Sequence, residues 1–184
     1  MKYKLHLLFA FLLFCSLFHI ETKAQVPIPA PVNADTMRVI EIVQGNSLRE
    51  KTIDSVTVIE TIAGNVILKE GLTTFYCDSA VINRRTNILE AYGNVHINQN
   101  DSIHTYAQEL KYYGKERIAY LKKNIKLTDK SGTLLTNDLE YDLSKNIGKY
   151  KGGGKVLNRK TVLTSMEGVY YADTHDVYFK KMLI

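Results

Sequence analysis

The chain has 184 residues, a net charge of +5, 45% apolar residues and no tryptophan. That is enough for one domain with a core of its own. The basic excess has no Lys/Arg-dense stripe with interleaved aromatics, which excludes nucleic acid as the expected partner and leaves an anionic partner such as a phosphorylated lipid headgroup tolerated but not demanded.

Residues 1–24 read as a segment apart from the fold. Lys2 and Lys4 precede an apolar run from Leu5 to Ile20, and Thr22-Lys23-Ala24 sets small residues at −3 and −1 of a cut before Gln25. This is the layout of a secretory signal peptide, and the run is short for a membrane span and carries His6 and His19. Cleavage to a soluble exported protein is expected, with a retained N-terminal anchor as the alternative. Removal of Lys2, Lys4, Lys23 and Glu21 lowers the charge by two, to +3. Cys15 leaves with the leader and Cys77 stands alone, more plausible as a buried small hydrophobe than as half of an interchain disulfide. Residues 25–36, with Pro27, Pro29 and Pro31, read as an extended leader to a domain spanning 37–184.

From Met37 onward the pattern is β: runs of about ten residues rich in Val, Ile, Thr and Tyr, separated by short polar turns. Turns are expected at Gly45–Lys51, Lys69–Leu72, Asn83–Asn87, Asn98–Asp101, Gly114–Arg117, Asp129–Gly132, Leu143–Asn146, Asn158–Lys160 and Asp173–His175. Connections this short join antiparallel neighbours. A unit of about thirty residues recurs four times, opening at Gly64-Asn65-Val66, Gly93-Asn94-Val95, Lys123-Asn124-Ile125 and Gly154-Lys155-Val156, with steps of 29, 30 and 31. A fixed period in that range means stacked units that share one core. The recurring glycine is expected at a bend or bulge, since Gly inside a strand otherwise weakens it. Gly152-Gly153-Gly154 reads as the same bend lengthened by inserted residues.

Alternation assigns an inward face. Leu139 and Tyr141 oppose Asp138, Glu140 and Asp142; Leu110 and Tyr112 oppose Glu109 and Lys111. Val66 with Leu68, Val95 with Ile97, and Ile125 with Leu127 form a second inward ladder after each unit's opening.

Catalytic and metal constellations are missing from the pattern. His96, His104 and His175 lack metal-ligand spacing, and His96, between Val95 and Ile97, is expected to face solvent. Gly152-Gly153-Gly154-Lys155 mimics a phosphate loop, but Val156 stands where Ser or Thr is needed. Asp78-Ser79 has no nearby His to activate a nucleophile. The row Asp138, Glu140, Asp142 reads as a solvated face, and Lys111, Lys115, Arg117, Lys122, Lys123 and Lys126 as a charged sheet exterior. No cofactor and no metal are expected.

The phrase Gly64-Asn65-Val66-Ile67-Leu68-Lys69-Glu70-Gly71, followed by Thr73-Thr74-Phe75-Tyr76-Cys77-Asp78-Ser79-Ala80, resembles the core repeat of the OstA-like family, which includes the periplasmic lipopolysaccharide-transport protein LptA. The resemblance runs from about Met37 to the end and departs from the pattern at Lys123 and at the triple glycine. It implies an all-β fold, an open β-jellyroll or β-taco of repeated antiparallel strand pairs, and no enzymatic activity. It further implies an apolar groove for the acyl chains of lipopolysaccharide or a similar lipid, lined by Val66, Leu68, Val95, Ile97, Leu110, Tyr112, Ile125, Leu127, Leu139 and Tyr141. Members stack end to end between the inner and outer membranes. Val177, Phe179, Lys180 and Lys181 read as part of a terminal strand running to Ile184, an assembly edge for head-to-tail self-association or for stacking on related jellyroll domains. Two rivals remain: an envelope adaptor with a filled core and no cargo, and a β-helix enzyme. The second is disfavoured because the carboxylate row of the third unit is not echoed in its neighbours.

Overall fold

The computed structural model describes residues 38–158 and 161–182. The expected signal peptide and leader, 1–36, lie outside the described residues. Eleven strands form one antiparallel sheet: β1 (Glu41–Gln44), β2 (Ser47–Asp54), β3 (Thr57–Glu70), β4 (Thr73–Asn83), β5 (Ile88–Gln99), β6 (Ile103–Tyr113), β7 (Ile118–Thr128), β8 (Gly132–Asp142), β9 (Ile147–Asn158), β10 (Thr161–Tyr171) and β11 (Asp176–Met182). From β3 to β11 each strand pairs with its sequence neighbours, and β1 and β2 both pair with β3, β2 along its first half and β1 along its second. Among the described residues the sheet does not close on itself. The all-β, open, antiparallel architecture expected from the sequence is the one observed.

Each long strand is interrupted halfway. On β3, β5, β7 and β9 two consecutive residues take left-handed backbone: Gly64 and Asn65, Gly93 and Asn94, Lys123 and Asn124, Gly152 and Gly153. The register slips at the same place in each pairing from β3–β4 through β9–β10, for instance between Tyr92 and Val95 opposite Glu109 and Ala107. Two residues therefore oppose one, which is a bulge, and a bulge bends the strand that carries it. Aligned across the sheet, the bulges form a crease with two facing walls.

Wall A holds the first halves of β3, β5, β7 and β9 and the second halves of β4, β6, β8 and β10; wall B holds the other halves. Inward side chains from both walls make one core, with Ile62, Leu89, Leu110, Leu121 and Leu139 from wall A against Val66, Leu68, Phe75, Ile97 and Leu127 from wall B, all buried. The rings of Phe75 on wall B and Tyr112 on wall A lie 5.0 Å apart.

Two expectations need correction. The segment Gly45–Lys51 is not a turn: β2 begins at Ser47, and the chain reverses after Asp54, whose carboxylate accepts the backbone N–H groups of Val56 and Thr57. Val56 sits in the place a turn residue would take, which hides the signal. The fourth unit opens at Gly152, not Gly154, so the steps are 29, 30 and 29 and nothing is inserted. Gly154 holds the inward place that Val66, Val95 and Ile125 hold elsewhere, because the ring of Tyr150 already fills it.

The outer face of wall A is a ladder of opposite charges. Lys111 pairs with Glu90 at 2.8 Å, Lys123 with Glu109 at 2.6 Å, Lys122 with Asp138 at 2.5 Å and Lys149 with Glu140 at 2.9 Å. Such pairs contribute little singly, but they avoid like charges on adjacent strands. The acidic row is thus paired throughout, Asp138 with Lys122, Glu140 with Lys149 and Asp142 with Lys145, while Lys111 and Lys123 of the basic stretch pair with Glu90 and Glu109.

Candidate interior groove and its mouth

The ten residues proposed to line a groove all point between the walls, and each is 3% exposed or less. Their own side chains fill the space. Cys77 is buried there too, its thiol pushed up to about 11 chiefly by burial and further by Asp78. Among the described residues no group of three or more His, Cys, Asp or Glu side chains gathers to hold a metal ion.

The two walls are free of each other at the edge away from the crease, where the turns lie, and there the structure places polar contacts that the sequence pattern does not announce. The Tyr112 hydroxyl on wall A donates to Glu70 Oε2 on wall B at 2.5 Å, and Arg117 Nε lies 3.8 Å from the same oxygen. Tyr141 donates to Gln99 Oε1 at 3.0 Å, and Gln99 Nε2 donates to Asn146 Oδ1 at 2.7 Å and to the Leu143 carbonyl at 2.8 Å. Tyr170 donates to Asp129 Oδ2 at 2.5 Å, with His175 Nδ1 3.2 Å from that oxygen. Arg117, Asn146 and His175 each close a wall A turn in left-handed backbone, as Asn87 does in the turn before them. Asn and His adopt that conformation more readily than other residues with a side chain, whereas Arg adopts it seldom.

Glu70 is fully buried, its Oε1 has no partner, and burial raises its proton affinity above the ordinary 4.5 despite the opposing Tyr112 hydroxyl, Arg117 and Arg38. Asp129 goes the other way: burial would raise it, but the Tyr170 hydroxyl, the N–H groups of Ser131 and Gly132 and the His175 ring hold it below its ordinary value. The linkage signs differ accordingly. A raised folded value favours folding below the unfolded value, and that contribution is lost as pH rises through it; a lowered one favours folding above the unfolded value and is lost as pH falls. Glu70→Gln is therefore expected to melt with the parent near about pH 4 and above it near about pH 8, since Arg117 is partly exposed and can be rehydrated. Thermal melts across that range test this; a difference that does not change with pH would refute the assignment.

Outside wall B, His96 is not simply solvated as expected. Its ring is half-buried, stacked 4.4 Å from Tyr106 and 5.2 Å from Tyr76, with Nε2 3.1 Å from His104 Nδ1. Cross-strand register places Tyr76, His96 and Tyr106 side by side, which single-strand alternation cannot reveal. On the assembly edge, β11 pairs with β10 and has no partner on its other side among the described residues; Val177 and Phe179 pack partly against the core and Lys180 is exposed. The side chain of Lys181 lies outside the described residues.

An antiparallel meander creased along a line of bulges into two facing walls, and left open at both edges, is an open β-jellyroll. The model of the OstA-like protein family matches residues 38–183, and the chain belongs to that family. Among solved structures it is similar to LptH of Pseudomonas aeruginosa, the LptA-homologous periplasmic component of the lipopolysaccharide transport device, with a TM-score of 0.54 at 16% identity, over 62% of this chain and 82% of that one. A search of curated proteins gives no match.

Proposed function

We propose that this chain is a non-enzymatic, periplasmic lipid-transport component of the lipopolysaccharide type, exported by a cleaved signal peptide, that holds acyl chains between its two walls. The observation that carries the reading is the interior itself. One unbroken apolar seam runs through nearly every strand from Ile40 to Tyr170 inside a sheet that is open at both ends, so units can be added or cargo passed along it without breaking a closed barrel. Membership of the OstA-like family and likeness to a lipopolysaccharide-transport component support it. The cargo is lipopolysaccharide or a similar lipid, and Val66, Leu68, Val95, Ile97, Leu110, Tyr112, Ile125, Leu127, Leu139 and Tyr141 are its contacts. The filled interior supports a second reading, an envelope adaptor without cargo. Native mass spectrometry of protein purified from its own envelope separates them: retained lipid sustains the first and its absence the second.

A photo-crosslinking residue at Ile97 or Leu110 is expected to capture lipid, and the same residue at Glu109 or Glu140, on the outer face, to capture none. Equal labelling of both faces would defeat the reading.

Partners are further copies or related jellyroll domains joined through the sheet edges, at inner- or outer-membrane proteins in the cell. The end opposite β11 supports this: β2 is exposed along its whole length, and Val39, Val43, Leu48, Ile53 and Val56 are each more than half exposed there. Head-to-tail pairing of such edges need not close, so rods of variable length are expected. Sedimentation velocity over a hundredfold concentration range should show association growing with concentration; an unchanging monomer would refute it.

A further inference from the structure

The contacts at the mouth repeat with the fold. Tyr112, Tyr141 and Tyr170 are spaced by 29 and 29 residues; their partners across the mouth, Glu70, Gln99 and Asp129, by 29 and 30; the turn residues Arg117, Asn146 and His175 by 29 and 29. Each group holds one tyrosine and one left-handed turn residue from wall A and one acceptor from wall B. The chemistry changes in step within each group: a carboxylate meets a guanidinium, an amide meets an amide, a carboxylate meets an imidazole. Three matched sets at one register within one chain are a built feature. In the preceding repeat Ile82 replaces the tyrosine, and the mouth is covered instead by the segment at Ile40, whose carbonyl accepts from Arg84.

These hydroxyls reach across the gap that an acyl chain would have to cross to enter sideways. The three sets are not equivalent. Tyr112 and Glu70 are wholly buried, and Gln99 makes two further bonds to wall A. The third set borders two clefts, each of mixed polar and apolar lining: one includes Gln99, Ile103, Asp129, Asn146, Ala172 and His175, the other Val156, Asn158, Leu163, Tyr170, His175 and Asp176. Releasing Tyr170 from Asp129 would join them into one slot that offers both polar and apolar groups, as a lipid with a hydrogen-bonding headgroup demands.

We propose that the three tyrosine sets are bolts that keep the groove shut, and that Tyr170–Asp129–His175 is the bolt at which an acyl chain is admitted. This rests on reading the interior as the lipid site, so the test carries one readout that needs no lipid. Tyr112→Phe, Tyr141→Phe and Tyr170→Phe each keep the ring and delete the hydroxyl. Amide hydrogen exchange reports opening directly, and uptake of cis-parinaric acid reports admission.

Tyr170→Phe is expected to speed exchange of the mouth-side amides at Asp129–Gly132 and Ala172–Val177, and to speed probe uptake about tenfold, the loss of one hydrogen bond to a charged acceptor. Tyr112→Phe should change uptake far less. Unchanged exchange in all three variants would overturn the bolts; equal acceleration of uptake by Tyr112→Phe and Tyr170→Phe would overturn the third as the point of admission. Faster exchange in Tyr170→Phe with no uptake by any form would uphold the bolt and overturn the lipid reading beneath it.

Discussion

Gly154→Val is expected to destabilise the fold by about 3 kcal/mol, the upper part of the usual range for an overpacked core. The backbone at Gly154 does not require glycine, since its φ is not positive; the crowding is that of side chains. A Cβ there would fall inside the Tyr150 ring, which is fully buried, hydrogen-bonded through its hydroxyl to Ser165 at 2.6 Å, and so fixed at its far end. Gly168 meets the same ring from the next strand. The neighbouring repeat solves the same space with Leu121 and Ile125. Tyr150→Leu alone should cost about 2 kcal/mol through the cavity and the loosened Ser165. The double variant Tyr150→Leu/Gly154→Val should be more stable than the sum of the two losses, because each change fills or vacates what the other needs. Urea denaturation of the four proteins gives the coupling. Simple additivity would show that Gly154 is not the counterpart of Ile125.

Gly93→Val should cost about 3 kcal/mol, and Lys123→Val about 1 kcal/mol, although the two positions are equivalent in the repeat. At Gly93 φ is 73° and a Cβ would strike the Asp78 carboxylate, which accepts from Asn94 Nδ2 at 2.9 Å. The change therefore adds left-handed strain and displaces the side chain that holds the crease. At Lys123, with φ 65°, the strain is already present, and only the pair with Glu109 and some rotamer freedom are lost. Lys123→Gly should for the same reason be neutral or mildly stabilising. Thermal melts rank the three, and a larger loss at Lys123 than at Gly93 would refute the alignment of the repeats.

The sequence by itself determined the strand content, the antiparallel order, the thirty-residue period and the inward faces of single half-strands. These follow from short-range facts: Leu110 and Tyr112 alternate with Glu109 and Lys111, tight turns allow only antiparallel neighbours, and Gly-Asn pairs supply the two left-handed residues a bulge needs. It could not set the fourth unit's register, because Gly152 and Gly154 are chemically alike and only the Tyr150 ring, arriving from the same strand onto that space, tells them apart. Alternation also fails across the crease. On β6 the inward set runs Ile103, Thr105, Ala107 and then Leu110, Tyr112, so parity switches within one strand; β4 and β8 switch likewise between Cys77 and Ala80 and between Thr136 and Leu139.

The bolts at the mouth were the least legible feature. Tyr141 and Gln99 are 42 residues apart, and nothing local to either announces the other. Glu70 falls within the expected turn Lys69–Leu72 and His175 within Asp173–His175, so neither stands out from the other turn residues. Only the folding of one sheet face against the other brings a hydroxyl from wall A to an acceptor on wall B, because the crease converts positions far apart in sequence into opposite sides of a gap about one sheet spacing wide.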